Sequence, residues 1–173
     1  MTENNIYNRL GKAISRARPG FVEQFLRPGL SPRQVDKYSG SIVLPEPIQR
    51  IYCWKNGTAF IQIPSGQTYA QAMLKAAFFC GDGFQFVDLR RALSDRELLN
   101  LGQIKYSAHR NCLPLFFNTK SAYLLADLSS NEAPVSVVDD LTDSPPRQVF
   151  KSFNDFIEAV IASIESGVQL PLL

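Results

Sequence analysis

Residues 112–139, CLPLFFNTKSAYLLADLSSNEAPVSVVD, hold three short runs of strand-forming residues separated by turn formers. Cys112 to Phe117, Ala122 to Leu128 and Pro134 to Asp139 read as strands, rich in Val, Leu, Phe and Tyr. Asn118-Thr119-Lys120 and the stretch from Ser129 to Ala133 supply the turns. Links this short join antiparallel neighbours, because a parallel crossover needs a dozen residues or more. The expectation is an antiparallel meander.

Outward from it, the clearest helix follows. Phe153, Phe156, Ile157, Val160, Ile161 and Ile164 recur at spacings of three and four. Ser152 and Asp155 form a capping pair at its start, and Gly167 ends it. On the N-terminal side, Phe84 to Val87 reads as a short strand after a Gly81-Asp82-Gly83 turn. Asp88 then caps a helix from Leu89 to about residue 101. Residues 68–80 lean to helix on their Ala, Met and Leu content, and Phe60 to Ile63 reads as a strand.

Two helices are expected earlier. In SPRQ, Ser31 caps, Pro32 takes the first helical position and Gln34 reaches back. In LPEPIQRIYCWKNG (residues 44–57), Leu44, Ile48, Ile51, Tyr52 and Trp54 make a helical stripe, and Asn56-Gly57 supplies a stop. Residues 1–29 read as a helical extension with Ile6, Leu10 and Ile14 on one face, followed by a short helical turn through Phe21, Val22, Phe25 and Leu26. The fold class is therefore α+β: a mostly antiparallel sheet flanked by helices, with residues 30–173 as the domain.

Four motifs, in order, resemble the SUKH superfamily of Smi/Knr-like domains. They are LSPRQVDKY followed by LPEPIQRIYCWKNG; the strand-to-helix segment GFQFVDLRRAL; CLPLFFN with AYLLADL; and APVSVV with KSFNDFIEAV. The match spans roughly residues 30–167. It implies an α+β fold and a non-catalytic, protein-binding role. Bacterial members are largely immunity proteins that bind and neutralise a toxin; fungal relatives act as cell-wall regulators and interaction hubs. The alternative to an immunity protein is thus a regulatory interaction module. Nuclease-neutralising relatives tend to be acidic, whereas this chain carries +2.

The residues themselves point away from catalysis. There is no nucleophile elbow and no phosphate-binding loop. His109 is the sole histidine and reads as a surface-loop residue; a zinc site of four ligands has no second pair to draw on. Asp139 and Asp140 are adjacent on a strand, so they face opposite ways and make no acid/base pair. No metal and no cofactor is expected. Cys53, Cys80 and Cys112 form no disulfide framework, which fits a reducing compartment. The polar N-terminal twenty residues lack a signal-like apolar run, so the expected location is the cytoplasm, with no membrane partner. A nucleic-acid partner is not expected, since basic residues are few and not interleaved with aromatics.

Charge placement suggests where a protein partner, a toxin domain, would bind. Residues 1–50 hold eight Lys and Arg against four acids. Residues 121–146 hold Asp127, Glu132, Asp139, Asp140 and Asp143 and no Lys or Arg. These five acids are the candidate partner-binding residues, gathered on one sheet edge where they would meet a basic surface; the equal alternative is a solvated edge whose charges discourage strand-to-strand aggregation. Trp54, the sole tryptophan, is a sixth candidate, as a hot-spot side chain. Its plainer reading is packing of the helix end.

Overall fold

The computed structural model describes residues 6–59, 63, 65–79, 83–100, 111–118, 122–139, 146–170 and 172, leaving aside the side chains of residues 99, 100 and 139. The expected meander is there. Strands β3 (Gln85–Phe86), β4 (Cys112–Phe117), β5 (Ala122–Asp127), β6 (Val135–Asp139) and β7 (Arg147–Phe150) form one antiparallel sheet in chain order. A second sheet pairs β1 (Leu26–Pro28) with β2 (Lys55–Thr58). The helices are α1 (Ile6–Ala17), α2 (Phe21–Phe25), α3 (Pro32–Ser39), α4 (Glu46–Trp54), α5 (Tyr69–Lys75), α6 (Leu89–Asn100) and α7 (Phe153–Ser166). The protein is an α+β fold.

Alternation along β5 sets the two faces of the sheet. Ala122, Leu124 and Ala126 join the main core, while Tyr123 and Leu125 pack with Cys112 and Val138 on the opposite face. Pro114 is a proline in an interior strand, where it can donate no ladder hydrogen bond. A register shift between Pro114 and Phe116 accommodates it. The shift also turns Leu115 and Phe116 into the same core. Phe116 then sits at the centre of an aromatic cluster, 5.2 to 5.8 Å from the rings of Phe78, Phe79, Phe86 and Phe156.

α7 carries the predicted stripe. Phe153, Phe156, Ile157, Val160, Ile161 and Ile164 are all buried. The Asp155 N–H donates to the Ser152 hydroxyl, and Gly167 closes the helix in the left-handed conformation. α1 packs on α7 through buried Tyr7, Leu10, Ala13 and Ile14, so the expected extension is built into the common core. Arg9 spans the two helices with a bidentate pair to Glu158, at 2.6 and 2.9 Å.

Two local expectations change. Helix α4 ends at Trp54, and Asn56-Gly57 lies in strand β2 instead of forming a helix stop. The reason is tertiary: β2 pairs with β1, and Gly57 lies flat against the backbone entering α6. Asn56 meanwhile accepts from the Leu89 N–H at 3.0 Å, capping α6 across the fold beside Asp88, which accepts from the Arg91 N–H at 3.2 Å. Leu26, expected in a helical turn, starts β1. Of the strand expected at residues 60–63, only Ile63 is described, and it is in no strand. The Gly81-Asp82 and Thr119-Lys120 turns lie outside the described residues.

Candidate functional site

The five acids do not share an edge. β6 lies between β5 and β7, so Asp139 ends an interior strand. Ala122 pairs with Asp139 and Ala126 with Val135, which puts Asp127 and Glu132 at one end of the sheet and Asp139 at the other. Five residue steps along β5 separate Asp127 from the position opposite Asp139, about 17 Å. Asp127 is half-buried and accepts from the Ser129 N–H and hydroxyl at 2.8 and 2.7 Å, so its carboxylate builds the turn that follows β5. Glu132 is exposed in the same turn, where its backbone carbonyl accepts from the Phe153 N–H. The side chain of Asp139, and Asp140, Asp143 and His109, lie outside the described residues.

Trp54 is partly buried at the end of α4. Its ring stacks on Tyr7 at 6.2 Å and meets Phe78 edge-on at 6.3 Å. Those contacts join α1, α4 and the aromatic core. Cys112 is buried, and burial pushes its thiol up to about 11; burial also raises the Cys53 thiol. Both are therefore neutral thiols near pH 7, behaving as small apolar groups.

A cavity of about 660 Å³ opens where the two sheets meet. Each wall has a local cause. Thr68 starts α5 with a full capping box, which sets Met73 and Tyr69 on one side. The Thr58 hydroxyl accepts from the Phe86 N–H, holding β2 against β3. Phe117 and Gln85, paired across β4 and β3, form part of the floor. Arg27 on β1 and Arg91 on α6 flank Asp88 at the rim. The Arg27 guanidinium lies 3.4 Å from Asp88, and the Arg91 Nε donates to both oxygens of Asp95 at 2.7 and 2.9 Å. That bond holds Arg91 more firmly protonated than usual. Tyr69 and Ile63 remain 59% and 49% exposed at the rim, large apolar side chains without cover.

Gln85 was the available signal in the sequence. It is a polar residue between two phenylalanines in a strand, and it is 2% exposed. Its amide nitrogen donates to the Met73 carbonyl at 2.6 Å, which leaves Oε1 without a partner among the described residues. A buried acceptor left unpaired costs the fold free energy. The cavity as a whole offers guanidinium donors above an apolar floor, an arrangement suited to binding.

No model of a known protein family matches the chain, and no curated protein matches it significantly. Resemblance to SUKH domains thus rests on the four motifs alone. No described helix is long and apolar enough to cross a membrane.

Proposed function

We propose that this chain is a non-catalytic protein-binding domain of SUKH type: an immunity protein that holds a toxin in the cytoplasm and blocks it. The observation that carries the reading is the order of the four motifs, LSPRQVDKY with LPEPIQRIYCWKNG, then GFQFVDLRRAL, CLPLFFN with AYLLADL, and APVSVV with KSFNDFIEAV. Their elements run helix, helix, strand, helix, strands, helix within an α+β fold, the class such domains have. Inhibition would be stoichiometric, by steric cover and charge complementarity, with no bond made or broken.

Placement of the acids refines the mechanism. Asp127 and Glu132 at one end of the sheet and Asp139 at the other act as separate acidic contacts, so a partner that covers one end need not cover the other. Co-expression with the product of the adjacent gene tests the function. A stable complex and relief of that product's toxicity are expected; absence of both from every adjacent toxin-like product would overturn the immunity reading. In such a complex, Glu132→Lys at one end and Asp139→Lys at the other identify which end faces the partner. Whichever end is in contact should lose association rate steeply, and the loss should shrink as salt is raised.

A further inference from the structure

Arg27, paired with Asp88, and Arg91, paired with Asp95, both line the cavity, and neither guanidinium is saturated. Arg27 is 42% exposed, and its 3.4 Å approach to Asp88 is its one polar contact among the described residues. Arg91 is 60% exposed and uses Nε on Asp95, leaving both terminal nitrogens free of protein partners among the described residues. Below this rim lies the apolar surface of Met73 and Phe117, with the uncovered ring of Tyr69 beside it.

We propose that the cavity binds a small amphipathic carboxylate, its head between Arg27 and Arg91 and its apolar body on Met73, Phe117 and Tyr69. A carboxylate matches the planar fork of an arginine, accepting two parallel hydrogen bonds from it. With the rim neutral overall and Asp88 beside it, a single negative charge is favoured over two. Arg27 and Arg91 are offset by Asp88 and by Asp95, which is buried beneath Arg91, so the rim carries no surplus to hold a dianion such as phosphate. Recognition therefore comes from directed donors and not from a strong field, and binding falls little with salt. The volume, about 660 Å³, accommodates a bicyclic ring with a short acid arm. This site is independent of the toxin-binding reading and survives its failure.

The probes are 1-naphthaleneacetate and the matched alcohol 2-(1-naphthyl)ethanol, titrated into the full chain and followed through its amide resonances. Saturable one-to-one shifts centred on Arg27, Met73, Gln85 and Arg91 are expected for the acid. The alcohol should bind about tenfold more weakly, the loss of one charge-assisted contact. Arg27→Gln, at a half-exposed position with a single loose contact, should weaken the acid about tenfold and leave the alcohol unchanged. Arg27→Lys, which keeps the charge without the fork, should fall between. Equal affinity for acid and alcohol, no saturable shift in these residues, or an acid affinity untouched by Arg27→Gln would each overturn the assignment.

Discussion

Replacing Gly57 by alanine would put a methyl group against the backbone at the start of α6. An ideal Cβ at this position lies 2.7 Å from the Asp88 Cα and 2.9 Å from the Val87 carbonyl carbon, closer than real Cβ contacts come. Gly57 also has φ near +81°, where alanine costs about 1–2 kcal/mol. Gly167 supplies the internal comparison: φ is near +70° and nothing lies within 4 Å of its Cβ position. Gly167→Ala should therefore show the backbone cost alone, about 1–2 kcal/mol. Gly57→Ala adds an overpacking cost of about 1–3 kcal/mol, because the neighbour that must move is main chain and cannot rotate away. The sum, about 2–5 kcal/mol, is a large share of a typical domain's 5–15 kcal/mol. Urea unfolding followed by circular dichroism reads the difference as a lower midpoint at constant slope. Gly57→Asn separates the two possible reasons for glycine. Asparagine is accepted at a left-handed helix stop, so a stop would tolerate it. Close approach would not, and Asn should be at least as harmful as Ala. Gly57→Ala and Gly167→Ala losing the same stability, with Gly57→Asn tolerated, would refute the close-approach argument.

Phe116→Ala empties the middle of the aromatic cluster and should cost about 3–5 kcal/mol in the same unfolding assay, whereas Tyr69→Ala on the exposed rim should stay within about 0.5 kcal/mol. Asn56→Ala removes a cap from the Leu89 N–H and should cost about 0.5–2 kcal/mol; no loss would mean that α6 does not need its long-range cap. Burial raises the Cys112 thiol from 9.0 to about 11, so its neutral form is favoured more in the folded chain than in the unfolded one. The resulting stabilisation is full below pH 9.0 and is lost as pH rises toward about 11. The melting-temperature gap between the wild type and Cys112→Ala should accordingly narrow over that interval, and a gap that stays constant would contradict the burial argument.

Much of the chain was legible because local chemistry and tertiary environment agree. Ser31, Pro32 and Gln34 form the expected capping box, and Asp88 caps α6 where its position predicts. The runs CLPLFF and AYLLAD become neighbouring strands, and the stripe from Phe153 to Ile164 is the buried face of α7. β7 was missed, since Arg147 to Phe150 shows no alternation and is a strand only by pairing with β6. β1 and β2 were missed for the same reason, being three and four residues long and separated by two helices. The acidic run read as one surface because its members are close in the chain. Antiparallel folding sends Asp127 and Asp139 to opposite ends of the sheet. Apart from the polar Gln85 between two phenylalanines, the cavity left no mark in the sequence, as Arg27, Met73, Gln85 and Arg91 come from four separated segments.

By itself, the order of residues determined which segments are helices, how the meander runs and where α3, α6 and α7 begin. Those properties depend on periodicity and caps, interactions between residues a few positions apart. Only the tertiary structure decided that Asn56-Gly57 is a strand against α6, that the acids part company, and that two arginines, each paired with its own carboxylate, line one cavity above an apolar floor. Each of these depends on backbone brought together from distant parts of the chain, and no local pattern encodes such an approach.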